Sequence, residues 1–188
     1  MAQVANEVRA RALPPAGTWD LDPAHTTLEF VARHMLSKIR GRFREFAGTF
    51  ELGETPEQTT VQAEIKTASI DSNQAMRDDH LRSPDFLDVE KYPVLTFTST
   101  AFRPIGDATF ELEGDLTIKD VTRPVTLKGE VHGWGPDMEG TPMLAASART
   151  TIDREDWGMT WNMIVETGGF LVSKRVNIEI EIEARLKS

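Results

Sequence analysis

Alternation with a period of two dominates this chain. From Ala108 to Ile118, the residues Ala108, Phe110, Leu112, Gly114, Leu116 and Ile118 alternate with Thr109, Glu111, Glu113, Asp115 and Thr117, as a strand with one buried and one wet face requires. Near the C-terminus Val176, Ile178, Ile180, Ile182, Ala184 and Leu186 alternate with Asn177, Glu179, Glu181, Glu183, Arg185 and Lys187, a periodicity that no helix face can bury. Shorter runs behave alike: Leu28, Phe30, Ala32 and His34; Val61, Ala63, Ile65 and Thr67; Leu95, Phe97 and Ser99; Val125, Leu127, Gly129 and Val131; Leu144, Ala146 and Ala148. With the segment from Ile39 to Leu52, which Gly41 and Gly48 bend, the pattern predicts about eight strands.

Helical signals are few. Asp71 with Gln74 resembles a capping box, and Ser83 followed by Pro84 reads as an N-cap and a first helical position, so one short helical excursion is predicted between Asp71 and Leu87. The opening residues are rich in Ala, Arg and Glu and stop at Pro14 and Pro15. They read as a flexible or helical arm over residues 1–15, ahead of one domain over 16–188. Strands do not alternate with helices, which excludes a parallel α/β fold, and antiparallel strands with one apolar face must stack or close on themselves. The last strand, about eleven residues or roughly 36 Å at ~3.3 Å per residue, suits a tall tilted barrel better than a sandwich. The expected fold is all-β: an extended eight-stranded antiparallel barrel.

Composition narrows the function. The 188 residues are 39% hydrophobic and 27% charged, a soluble globular balance. A formal charge of −9 repels phosphate backbones on average, so nucleic acid is not an expected partner. There is no cysteine, hence no disulfide framework, thiolate metal site or cysteine nucleophile. No apolar run is long enough for a spanning helix or a signal-peptide core, and the expected location is cytoplasmic.

The inward positions include the small residues Ala32, Ala63, Ser99, Ala108, Gly114, Gly129, Ala146, Ala148 and Ala184. An eight-stranded barrel is just wide enough to be filled by its own side chains or to hold one slender ligand. Two readings stay open here, a vacant lumen or the taper of a packed barrel. A vacant apolar bore favours a long apolar guest, since each buried methylene contributes roughly 0.8 kcal/mol. Trp157, Met159, Trp161 and Met163 fall at consecutive odd positions and would suit a mouth.

Chemistry is sparse. His25, His34, His80 and His132 show no helical zinc spacing, and no GxSxG elbow or phosphate-cradling glycine loop is present. His34 is predicted to face inward, as a ligand contact or a satisfied core residue. The densest titratable patch is Arg77, Asp78, Asp79, His80 and Arg82. It reads either as a charged lid helix held by ion pairs or as a head-group site.

Several strings then become meaningful together: Trp19 to Thr26; Gly41, Arg42 and Phe43 with Phe46, Gly48, Thr49 and Phe50; Arg77 to Ser83 with Asp85, Phe86 and Asp88; Tyr92, Pro93, Phe97 and Ser99; and Gly114, Leu116, Thr117, Ile118, Val121, Thr122, Pro124 and Val125. In this order they resemble the YceI-like family. The resemblance implies a lipocalin-like barrel that binds a polyisoprenoid or similar long-chain amphiphile in its lumen as a non-catalytic carrier or store, and implies a homodimer. It requires no cofactor, no metal and no catalytic residue. Carried over by position, the lumen candidates are Phe30, Phe43, Phe46, Phe50, Phe97, Phe110 and Phe170, joined by Trp157 and Trp161 from the odd-position pattern. The head-group candidates are His34, Arg77, Asp78 and His80. The alternatives are an enzyme acting on a hydrophobic substrate through His34 or His80, and a partner-binding scaffold without a ligand.

Overall fold

In the computed structural model, which describes residues 14–164 and 171–187, the runs of period two are strands. They are β1 (Gly17–Leu21), β2 (Thr27–His34), β3 (Ser37–Phe43), β4 (Phe46–Leu52), β5 (Thr60–Lys66), β6 (Ile70–Asp71), β7 (Val94–Pro104), β8 (Thr109–Ile118), β9 (Val121–Pro136), β10 (Pro142–Asp153) and β11 (Val172–Leu186). One helix, α1 (Ala75–Arg82), and three short 3-10 turns, Pro56–Gln58, Thr67–Ser69 and Arg154–Trp157, complete the set.

The long last strand organises the rest. Along one edge β11 pairs with β10, and along the other it pairs with β2 and then β1, so that Ile180 faces Leu28 and Ala184 faces Leu21. β1 and β2 therefore form one stave broken at Asp22–Thr26, where Pro23 removes a ladder donor. β3 and β4 form the next stave, pairing with β2 and β1 respectively, and β6 and β5 form the third. Eleven segments thus make eight antiparallel staves, and the β1–β11 pairing closes the ring. Closure leaves the long strands β7 to β11 each paired along both edges.

Strand register decides what the small inward residues do, and they divide into two kinds. Gly41 lies opposite Phe30 and Gly129 opposite Phe110, and a Cβ built on Gly129 would meet the Phe110 ring at 2.2 Å. Gly114 is covered by Phe97 in the same way, at 2.4 Å. These glycines are seats for cross-strand aromatic rings, so of the two readings left open the packed one holds at Gly114 and Gly129. Ala32, Ala63, Ala108, Ala146 and Ala148 instead face open space inside the barrel. Gly129→Ala is expected to push the Phe110 ring off its seat and cost about 1–3 kcal/mol, read as a lowered urea midpoint. Phe110→Leu in the same chain should restore most of it, and an undiminished midpoint for Gly129→Ala alone would refute the seat.

The helical excursion is shorter than the predicted window. Gln74, not Asp71, is the N-cap of α1, its side chain accepting from the Arg77 N–H. Asp71 belongs to β6, and its Oδ1 accepts from the Asn73 N–H at 2.7 Å. Ser83 ends α1 rather than starting a second helix: it sits at φ −68°, ψ 169°, the extended conformation that a following proline imposes.

Candidate functional site

The inner faces of the staves enclose an elongated cavity of ≈ 390 Å³, within the range of small-molecule sites. Its wall is almost wholly apolar. It extends from Phe50, Leu52, Phe102 and Phe110 at one end to Leu81, Phe86, Leu87 and Met159 at the other. Phe110 to Ile118 alone covers about 26 Å of strand, so the space is a narrow bore rather than a chamber. The helical end is sealed by a packed cluster of Ile65, Ile70, Phe86, Leu87, Leu116, Ile118, Trp157 and Met159. At the far end Trp19, Leu144 and Ala184 pack together, and the lining reaches the rim at Pro56, Thr59 and Gly106–Thr109.

Phe30, Phe43, Phe46, Phe50, Phe97 and Phe110 all line this cavity. Trp157 does not: it is 3% exposed, and its Nε1 donates to the Leu116 carbonyl at 3.2 Å, beneath the helical end. Trp161 lies outside the wall with its ring 4.4 Å from His80 and 5.5 Å from Phe86. Phe170 falls outside the described residues. Phe102 escaped the period-two reading because a bulge between Ser99 and Ala101 shifts the register and turns an even-numbered side chain inward.

None of the four head-group candidates lines the cavity. Arg77 donates to the Ser72 hydroxyl at 2.6 Å and to the Ser72 carbonyl at 2.7 Å. The buried Asp78 carboxylate accepts from the Ser72 N–H at 2.8 Å and from its hydroxyl. His80 pairs with Asp85 at 2.9 Å, and Arg82 donates to the carbonyls of Ala68 and Ile70. Each group pins α1 across the end of the barrel or braces the turn after it. His34 ends β2, opposite Ser37 and Val172.

A charged residue that the sequence reading did not single out does line the cavity. Arg154, only 3% exposed, donates from Nε to the Ser173 carbonyl at 3.1 Å and from Nη1 to the Met159 carbonyl. Burial lowers its pKa, opposed by the charges of Glu155 and Asp153.

A second polar group sits on the outside, at the break between β1 and β2. Asp22 Oδ2 lies 3.0 Å from His25 Nδ1 and 3.2 Å from Arg185 Nε, and His25 Nδ1 lies 3.4 Å from Glu183 Oε1. Asp22, His25 and Glu183 cluster closely enough to suggest a cation, but Arg185 already supplies one. The hydrogen bond to Asp22, then the charge of Glu183, raises the His25 pKa, and the same hydrogen bond lowers that of Asp22. The histidine therefore contributes stability fully below its ordinary 6.5 and loses it as pH rises through its higher folded value. The aspartate contributes above its ordinary 3.8 and loses that as pH falls through its lower folded value. The clamp should be tightest between the two, with a decline in urea midpoint above about pH 6.5 that His25→Gln removes. An identical pH profile for the variant would show that the clamp contributes nothing.

A closed up-and-down antiparallel barrel with an apolar bore is a lipocalin-like binding barrel. The chain belongs to the YceI-like family, whose domain matches residues 19–184. It is 36% identical over 166 residues to a UPF0312 protein of Pseudomonas putida F1, covering 87% of this chain and 83% of that one. It is 37% identical over 142 residues to a UPF0312 protein of Pseudomonas syringae pv. tomato, covering 74% of each. Among solved structures it resembles BcnA of Burkholderia cenocepacia, with a TM-score of 0.75 at 25% identity over 87% of this chain and 98% of that one. A polyisoprenoid binding domain from Saccharophagus degradans shares the fold, with a TM-score of 0.68 at 15% identity over 90% of this chain and 98% of that one.

Proposed function

We propose that this protein is a non-catalytic carrier or store of one long isoprenoid-type chain, held lengthwise in the barrel. The observation that carries the proposal is the apolar bore of ≈ 390 Å³ inside a closed wall. Burying a chain there releases it from water at roughly 0.8 kcal/mol per methylene, before ordering costs are subtracted. The polyisoprenoid-binding description of the Saccharophagus neighbour supports the same class of guest. The enzymatic alternative rests on His34 and His80, and neither lines the bore, so the carrier reading is favoured.

The test is native mass spectrometry with organic extraction of gently purified protein. A co-purified long-chain amphiphile, released on denaturation, is the expected result. Protein that carries no lipid and takes up no fluorescent lipid probe would defeat the proposal. The homodimer implied by the family resemblance belongs to the same reading, and sedimentation velocity should show a species of twice the 21.0 kDa chain mass.

A further inference from the structure

Among the described residues, Arg154 is the one basic side chain in a wall that is otherwise almost wholly hydrocarbon. Two of its guanidinium nitrogens are bonded to backbone carbonyls, while Nη2, buried, has no hydrogen-bond partner among the described residues. The carboxylates nearest in sequence are engaged elsewhere. Asp153 accepts from the Glu155 N–H at 3.0 Å, and Glu155 pairs with Lys174 at 2.7 Å. The Phe86 ring lies 5.8 Å from the guanidinium carbon. Asp153 and Glu155 are near enough to act on Arg154 through charge, yet neither is hydrogen-bonded to it among the described residues, and a buried guanidinium N–H without an acceptor is unfavourable unless something supplies one.

We infer that Arg154 is the head-group anchor of the lumen, and that the guest is an amphiphile whose leading end is an anionic oxygen group such as a carboxylate. The inference rests on the lipid-binding reading above and adds to it the polarity and direction of the guest: acidic end toward Arg154, apolar tail toward Phe102 and Phe110. The charge-assisted bond would complete the guanidinium's donor set, and the flexible Met159 side chain in the same wall can move to admit the group.

Competition with a fluorescent probe tests this with two ligands of equal chain length, hexadecanoate and hexadecan-1-ol. The intact protein should bind the acid at least tenfold more tightly than the alcohol at pH 8. Arg154→Met should abolish that preference while leaving alcohol affinity within about threefold. Should Arg154→Met fail to fold, the arginine side-chain nitrogen resonances of the intact protein provide a second readout. They should shift on adding the acid and stay put on adding the alcohol. Equal binding of acid and alcohol, or a preference that survives Arg154→Met, overturns the anchor but not the carrier. Failure of both ligands to bind overturns the carrier reading, and the anchor with it.

The hairpin between β2 and β3 carries a separate feature. Leu36 at its tip is 93% exposed and Met35 52%, while Met163 and Ile164 are 56% and 80% exposed. The four are joined through Leu171, which accepts from the Met35 N–H and donates to the Met163 carbonyl, each at 2.9 Å. Around them the charge of the chain reverses. Residues 33–44 hold Arg33, Lys38, Arg40, Arg42 and Arg44 and no acidic residue, in a chain of net charge −9; Arg40 is paired with Glu29 and Glu179, and Arg44 with Asp71. Val172 and Ala32, close by in the same strands, line the bore.

An apolar tip flanked by the exposed cations Arg33 and Lys38, which face each other across the hairpin, matches the interface of an anionic bilayer, and we propose that the barrel docks on such a surface by this tip to exchange its guest. Co-sedimentation tests it with vesicles of phosphatidylglycerol and phosphatidylcholine in equal parts, against pure phosphatidylcholine. At low salt the protein should pellet with the anionic vesicles at least threefold more than with the neutral ones, and 0.5 M salt should release it. Met35→Asp with Leu36→Asp should lose the binding. Equal partition between the two vesicle types overturns the proposal. So does a dimer that this double variant dissolves, which would make the tip a protein interface.

Discussion

Ala146→Phe is expected to empty the lumen. Ala146 is buried in β10, lines the bore, and stands between Ile182 of β11 and Val131 of β9. A phenyl ring at that position projects into the cavity, where the surrounding wall is hydrocarbon, so the ring itself is well accommodated and the guest is not. Co-purified lipid should fall at least tenfold, with a melting temperature no lower than that of the unsubstituted protein, since filling a cavity commonly adds about 0.5–2 kcal/mol. Ala63→Phe, on β5 beside Phe97 and Gly48, should act alike. Ser147→Phe, whose side chain faces outward between the two lining alanines, should leave the lipid in place. Unchanged lipid content in both alanine variants would mean that no chain lies along this part of the bore. Mass spectrometry after extraction reads all three.

The second large effect concerns closure. Trp19 has no exposed surface. It joins β1 to β4 through Phe50 and to β11 through Leu186, and its Nε1 donates to the Pro15 carbonyl at 3.1 Å. Trp19→Ala removes the largest wholly buried side chain at the seam where the ring closes. A buried Trp→Ala change costs about 3–5 kcal/mol, which for a domain of this size lowers the melting temperature by roughly 6–20 °C. Trp19→Phe should recover part of it. A loss below about 1 kcal/mol in chemical denaturation would show that the seam is held elsewhere.

These two positions also show how unevenly the molecule could be read from its residues. Ala146 was placed on the inner face by alternation alone, because a side chain two positions along a strand returns to the same face whatever the partner strand. Phe30, Phe97 and Phe110 reach the bore for the same reason, while Phe43, Phe46 and Phe50, expected there from the family resemblance, line it as well. Phe102 did not follow, since the bulge after Ser99 changes the parity of the count. The polar cluster on α1 was visible as a cluster, but not what it holds. Its partners are Ser72, Ala68 and Ile70, and nothing in the spacing distinguishes a helix pinned to backbone carbonyls from one that faces a ligand.

The antiparallel strands and their apolar interior were determined by the sequence itself, because a period of two puts one face of each strand inside whichever way the sheet covers it. Whether a small residue seats an aromatic ring, as Gly129 seats Phe110, or borders empty space, as Ala148 does, was decided only by the tertiary structure. So was the placing of Arg154 against the bore with a nitrogen unpartnered. The first depends on the register between neighbouring strands, which sets Phe110 opposite Gly129, and the second on how the turn after β10 packs against Ser173 and Met159; neither follows from the local pattern.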